Sequence, residues 1–370
     1  MLQLSFVNFR QNSYILVEGT PATDRFFIIQ SGRVKCFHEL SIPGSVPAIL
    51  GPGDFVGVIP CMSGHAQTES VVALTNVVAI MVRKDQYPEL IMKNTPVAMK
   101  IVRAFAHDMR SLNDNLTKIT LKKTIIDSPE ELFKIADYYE NSGHTDVATY
   151  GYYQYLKECP RGPKSEDAKR RFSSLKHGSD MFVIQEGSVR ITKVVDHAEV
   201  TLALLKKGDM FGEMALLENK PRSASAIAHD NCRLMTINRA NFDQMVATQP
   251  QMISRLTIMF ADRLWGLYRQ LVNTQFREPR EKMIDMLALQ IEKQKINAVR
   301  GMTFMTDLTI SDLVNLCGLP PEYEAQAVYQ LQSDQNVRIV DGKINIPDVM
   351  ELIRQAAFYR KQNNRRANEQ

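Results

Sequence analysis

Residues Gly208 to Ala228 read GDMFGEMALLENKPRSASAIA. Gly208 and Gly212 free the backbone around Asp209, Met210 and Phe211, and Met214, Ala215, Leu216 and Leu217 form one helical turn. The first amides of such a turn have no intrahelical partner and favour an anion. Arg222 follows Glu213 by nine residues, with Pro221 stiffening the approach and Ser223 adding a hydroxyl. A guanidinium fork suits a pair of phosphate oxygens. Glu213 would repel a phosphate, so its expected partner is a ribose hydroxyl, with Arg222 offsetting its charge. The set fits a cyclic phosphodiester. The plain alternative is an exposed Glu–Arg pair in a tight turn, worth about 0–1 kcal/mol.

The order Gly212, Glu213, Ala215, Leu216, Leu217, Pro221, Arg222, Ser223, Ala224 resembles the phosphate-binding cassette of the cyclic nucleotide-binding domain family. That resemblance implies that Glu213 takes the ribose 2′-hydroxyl. It also implies that Arg222, Ser223 and the amides near Met214 and Ala215 hold the phosphate, with Phe211, Gly212 and Ala224 completing the nucleotide-binding residues.

The chain repeats itself at a gapless offset of 155 residues. FFIIQSGRVKCF from Phe26 aligns with MFVIQEGSVRIT from Met181, and VRKDQY from Val82 with INRANF from Ile237. Both copies alternate apolar and polar residues in short runs broken by glycines, as a small β-roll requires. The first copy reads GDFVGVIPCMSGHAQTESVVA, with Val58 where the second has Glu213 and Gln67 where it has Arg222. Lacking both charges, it is expected to bind no nucleotide in this mode and to serve packing or partner contact. It keeps an early hairpin, YILVEGTPATDRFF. The second copy has the basic, polar KRRFSSLKHGSDMF there, which cannot supply two half-buried strands. The second roll is therefore expected to lack an edge pair, or to have that edge covered by the preceding helices or another chain.

At 370 residues the chain is long enough for several domains, and 44% hydrophobic with 23% charged residues is ordinary for a globular protein. A net charge of +4 does not by itself argue for nucleic acid. Cys36, Cys61, Cys159, Cys232 and Cys317 form no CxxC pair, which fits reduced thiols in a cytoplasmic setting. No apolar run suggests a membrane span, and the N-terminus does not read as a secretion signal. The seven histidines form no HExxH or triad-like pattern and there is no P-loop, so neither an enzyme, a metal site nor a cofactor is expected; GxGxxG spacing is absent as well.

Residues 129–162 read as two amphipathic helices around Asn141 to Gly143. Leu132, Ile135, Ala136, Tyr139, Gly143, Ala148, Tyr152, Tyr155 and Pro160 fall where a 34-residue tetratricopeptide repeat places its packing residues. A single repeat reads better as a packed spacer than as a peptide groove. From Pro250, an apolar stripe of Ile253, Leu256, Met259, Phe260, Leu264, Leu267 and Leu271 recurs at three and four, wide enough to face its own roll and a second helix. The resemblance implies that this C-helix dimerises and caps the base. Trp265, Leu267 and Tyr268 are the candidate base contacts; packing aromatics are the alternative.

Beyond Glu278, helix, Gly318 turn, helix, and the strands around Asp341 and Gly342 resemble the winged helix-turn-helix of the Crp/Fnr regulator family. The recognition segment is acidic. Glu322 and Gln326 are candidate base readers, and Arg338 and Lys343 candidate positioning charges.

The expected fold is therefore α+β: two β-roll (double-stranded β-helix) modules with flanking helices, a helical-repeat insert and a C-terminal winged helix. The expected boundaries are a degenerate module at 1–118, the insert at 127–175, the binding module with its C-helix at 178–275, the winged helix at 276–360 and a basic flexible tail at 361–370. The expected function is a cytoplasmic sensor of cAMP or cGMP acting as a homodimer through the C-helix, with DNA as a candidate partner and no membrane association. The alternative is a scaffold of interaction surfaces that binds no DNA.

Overall fold

The computed structural model describes residues 5–38, 46–120, 129–175, 178–195 and 198–368. The expected start of the insert, 127–128, and the last two tail residues lie outside them. The chain divides into two compact units, Met1–Leu116 with Gln249–Gln370, and Thr117–Thr248.

The first module occupies the start of the first unit. Strands β1 (Ser5–Phe9), β2 (Tyr14–Leu16), β3 (Arg25–Ser31), β4 (Val34–Phe37), β5 (Ala48–Leu50) and β6 (Phe55–Val56) precede the short helix α1 (Val58–Ser63). Strands β7 (Ser70–Ala73) and β8 (Val77–Arg83) then lead to helices α2 (Tyr87–Lys93) and α3 (Thr95–Thr120). They form two four-stranded sheets, β1-β8-β3-β6 and β2-β7-β4-β5. Alternate apolar side chains from both sheets, among them Ile29, Val34, Val56, Val71 and Ala79, close the core. Of the expected early hairpin, Tyr14–Leu16 forms β2 and Arg25 to Phe27 open β3, but the two strands enter different sheets instead of pairing; β1 and β2 cover β8 and β7.

The second unit opens with helices α4 (Pro129–Asn141), α5 (Thr145–Glu158) and α6 (Ser165–Ser174). Their core holds Phe133, Ala136, Ala148, Tyr152, Tyr155 and Ala168. A Cβ on Gly151 would meet that of Ala136 at 2.8 Å, so the glycine is what lets α4 and α5 approach. Leu132 and Tyr139 pack on this core as expected, whereas Ile135 points to solvent and α6 contributes a third helix.

Strands β9 (Met181–Glu186), β10 (Val189–Val195), β11 (Ala198–Leu205) and β12 (Met210–Phe211) follow, then helix α7 (Glu213–Glu218), strands β13 (Ser225–Ala228) and β14 (Arg233–Ile237), and helix α8 (Arg239–Thr248). The sheets are β11-β10-β13 and β12-β9-β14, with three strands each. The repeat offset maps β13 on β7 and β14 on β8, so the two missing strands are the counterparts of β1 and β2. Every residue of β13 and four of the five of β14 are exposed. Among the described residues the counterpart of Tyr14–Leu16 is absent, as the polar sequence predicts, whereas β9 forms where β3 stands in the first module.

The chain then returns to the first unit with α9 (Pro250–Thr274) and α10 (Pro279–Lys293), strand β15 (Phe304–Thr309), helices α11 (Ile310–Leu316) and α12 (Glu324–Gln332), strands β16 (Arg338–Val340) and β17 (Lys343–Ile346), and α13 (Val349–Asn368). The sheet order is β15-β17-β16, and Asp341 and Gly342, both at positive φ, make the tight β16–β17 turn. Helix α9 lies against α1, α2 and α10. Six of its seven stripe residues are buried and Met259 is half-buried.

Two expectations are corrected here. Helix α9 groups with the first module rather than with the roll that precedes it, and its apolar stripe is consumed within the chain, so the stripe offers no bare face for a C-helix homodimer. The basic tail, expected to be flexible, is helical to Asn368. Within it Arg366 lies 3.7 Å from Glu281, and at the residue before the tail Arg360 pairs with Asp285 at 2.5 Å and Glu292 at 2.9 Å. No helix among the described residues is long and apolar enough to cross a membrane.

Candidate functional site

The cassette is built on a backbone that only glycine adopts easily. Gly212 caps α7 at φ +81, in the left-handed region, and a Cβ there would meet Nη1 of Arg222 at 2.5 Å and the Asp180 carbonyl at 2.8 Å. Behind it, β12 pairs with β9 so that Phe211 lies opposite Phe182, with their rings stacked at 5.1 Å.

Glu213 is the first residue of α7 and is only 3% exposed. Arg222 is half-buried. Its Nη1 donates to the Gly212 carbonyl at 2.8 Å, and its guanidinium lies 5.7 Å from the Phe182 ring centroid. Burial pulls the Arg222 pKa below its ordinary value, against the opposing charges of Asp146, Asp180 and Glu213. Ser223 Oγ reaches Met214 Sδ at 4.0 Å. Phe211, Gly212, Glu213, Met214, Ala215, Arg222, Ser223 and Ala224 thus share one corner of the roll, where a cation and a buried carboxylate meet at a helix start.

Three residues of this corner escaped the sequence reading. Phe182 supports Arg222 from the neighbouring strand, Asp180 presents its carbonyl to Gly212, and Asp146 of the helical insert adds a negative charge to its field. The pairing of β9 with β12 could have pointed to Phe182. Nothing in the sequence marks Asp146, which stands 76 positions from Arg222.

The first cassette has the same backbone with different chemistry. Gly57 caps α1 at φ +77, as Gly212 does α7. Val58 is buried where Glu213 stands, and Gln67, 4% exposed, has neither amide atom hydrogen-bonded. Glu69 replaces Ala224. It lines a cavity of about 210 Å³ with Cys36, His38, Asp108, Tyr268 and Leu271 among the other walls. Burial, then the charges of Asp108 and Glu18, pushes the Glu69 carboxyl up to about 7. A phosphate would enter that cavity against two carboxyls.

A pH dependence follows. Because the folded pKa of Glu69 lies above its ordinary value of 4.5, its contribution is complete below that value and is lost as pH rises through about 7. The melting temperature of the first unit is expected to fall by of order 5 °C between pH 5 and 8, and Glu69→Gln to flatten that slope. Calorimetric scans at several pH values check it; an unchanged slope in the variant would refute the assignment.

The expected base contacts lie elsewhere than the sequence suggested. Trp265 is 4% exposed, its indole stacked at 3.8 Å on the ring of His65 from the first cassette, with the Arg269 guanidinium 5.8 Å from its centroid. Leu267 is buried, and Tyr268 faces His38 at 5.1 Å across the first module's cavity. The correction has one cause: α9 packs on α1 and α2, also fastened by Tyr87 Oη to Thr257 Oγ1 at 2.9 Å, so these side chains serve the first module. Glu322, Gln326, Arg338 and Lys343 are all exposed, as a contact surface needs. Glu322 sits in a short turn before α12, which carries Gln326, and Arg338 and Lys343 lie on the β16–β17 hairpin.

Two segments, residues 6–94 and 172–249, match the cyclic nucleotide-binding domain family. The chain therefore carries two copies of that domain. Human cGMP-dependent protein kinase 2 is 26% identical over 244 residues, covering 65% of this chain and 27% of the kinase. The cyclic AMP receptor protein of Thermus thermophilus is 27% identical over 182 residues, covering 49% of this chain and 81% of that protein. The chain thus spans about a quarter of the length of the kinase it resembles. Among solved structures, a CRP-family transcriptional regulator of Thermus thermophilus aligns with a TM-score of 0.39 and 17% identity, covering 49% of this chain and 90% of that one.

Proposed function

We propose that this chain is a non-catalytic cytoplasmic sensor that binds one cyclic nucleotide, in its second module, and acts as a transcriptional regulator of the Crp/Fnr type. The observation that carries the reading is the difference between the two cassettes. On the same glycine-capped backbone, Glu213 and Arg222 meet at a helix start in the second, while Val58, Gln67 and Glu69 replace the charge pair and add a carboxylate in the first. The relatives named for cGMP and for cAMP make both nucleotides the ligands to try. The phosphate and ribose contacts assigned here are common to the two.

DNA recognition is the output arm of the proposal. The exposed Glu322 and Gln326 would read base edges beside α12, and Arg338 and Lys343 would hold phosphates from the hairpin, with the winged-helix order of elements around them. Titration calorimetry of the full chain with each nucleotide tests the sensor. One site per chain is the expected stoichiometry; no heat with either, or two equal sites, would overturn it. For the output arm, Arg338→Ala with Lys343→Ala should lower the salt slope of binding to genomic DNA fragments by about 2. Should no salt-dependent binding occur with nucleotide present, the chain is a scaffold rather than a DNA reader.

A further inference from the structure

The second roll is open along one side. Among the described residues, strand β13 has β10 as its only strand neighbour and β14 has only β9, whereas their counterparts β7 and β8 in the first module are covered by β2 and β1. The consequence reaches the interior. Ten buried residues close the core of the first roll, but among the described residues only Ile184, Val189 and Leu205 form the corresponding cluster of the second. Ile227 is 40% exposed, Leu234 40% and Met235 45%. Helix α6 stands in the sequence place of β2 and leaves these residues bare. Strand β13 is uncharged along SAIA and holds no proline, and the charge and register shift of β14 are confined to its first residues, Arg233 and Leu234, which leaves Met235 to Ile237 without a charge or proline against pairing.

We infer that this edge is a self-association surface, occupied by the same edge of a second copy of the chain. A two-fold axis perpendicular to the sheets would set β13 against β13 and β14 against β14, antiparallel in both. Antiparallel pairing is what the first module uses at these positions. Centred on β13, it would oppose Ser225 with Ala228 and Ala226 with Ile227. Centred on β14, it would oppose Met235 with itself, Leu234 with Thr236 and Arg233 with Ile237. No like charges meet, and every exposed apolar side chain of the edge gains an apolar or uncharged partner. Both open edges are closed at once, which a single extended peptide on one sheet would not do. The stripe of α9 cannot serve instead, because the first unit already buries it.

Sedimentation equilibrium of the full chain tests the proposal. Twice the chain mass is expected at ~10 µM, the range in which specific interfaces hold. Ile227→Lys and Met235→Lys place a charge on each open edge and should each weaken the dimer at least about tenfold. Ile49→Lys, on the exposed β5 edge of the first module, should leave it intact. Because both variant positions face solvent in the single chain, the variants should melt as wild type does when diluted to monomer. Amide exchange gives an independent readout, since the amides of β13 should become protected as concentration rises. A monomer at ~100 µM, or edge variants as dimeric as wild type, would overturn the inference.

Discussion

Arg222→Ala is expected to abolish measurable cyclic nucleotide binding at micromolar ligand, a loss of at least ~2 kcal/mol, while leaving the fold in place. The two effects separate because of what Arg222 does without ligand. It is half-buried, and its Nη1 donates to the Gly212 carbonyl at 2.8 Å. Its burial already weighs against its charge, as the downward shift of its pKa indicates. Removing it relieves a desolvated cation, so the melting temperature should change little. It also leaves a phosphate facing Glu213 and Asp180 with no cation to offset them. Arg222→Lys should fall between, since an ammonium restores the charge without the fork. Gln67→Ala, in the first cassette, should not alter affinity. Calorimetry on the three variants, with thermal scans alongside, distinguishes a lost ligand contact from a lost fold. Wild-type affinity in Arg222→Ala would remove the second cassette from consideration as the site.

Asp285→Ala should destabilise the first unit by ~3–5 kcal/mol, the cost of stranding buried charges. Asp285 is fully buried on α10, where Arg360 Nε of α13 lies at 2.5 Å, Asn273 Nδ2 of α9 at 3.0 Å and Arg269 Nη2 of α9 at 3.3 Å. Burial alone would raise its pKa, but the charges of Arg269 and Arg360 reverse that and hold it below the ordinary value. The sign follows: the contribution is present at neutral pH and is lost only as pH falls through the depressed folded value. Without the carboxylate, both guanidinium groups must share Glu292. Asp285→Asn keeps a hydrogen-bond acceptor and should cost less. Chemical denaturation followed at Trp265, which is stacked on His65 and near Arg269, reports on this unit directly. A loss below ~1 kcal/mol would mean that the cluster is solvated enough to be energetically neutral.

What is legible in the sequence is local or repeated. The cassette declares itself because glycine, carboxylate and guanidinium sit within fifteen positions of one another. The repeat offset then carries the architecture of one roll onto the other, and the polar run before Asp180 announces that a counterpart of β2 cannot form. What stays hidden is long-range choice of partner. An apolar stripe spaced at three and four states that α9 will be buried but not against what, and Trp265 could equally face a purine or a histidine ring. His65 carries no signal until its distance to Trp265 is known. The basic tail misleads for a related reason: charge density reads as solvation, yet Arg366 lies 3.7 Å from Glu281 of α10. Likewise, alternation cannot reveal that a carboxylate from the helical insert, Asp146, acts on Arg222.

The seating of α9 on the first module sets a threshold. The His65–Trp265 stack, the Tyr87–Thr257 hydrogen bond and the Tyr268 wall of the acidic cavity act together as a latch on the helix that leads into α10. Any signal that turns α9 has to release that latch first. The module without a charge pair would then govern how strong an input must be, and its sequence could drift in ligand chemistry while remaining tightly constrained in the rings that hold the helix.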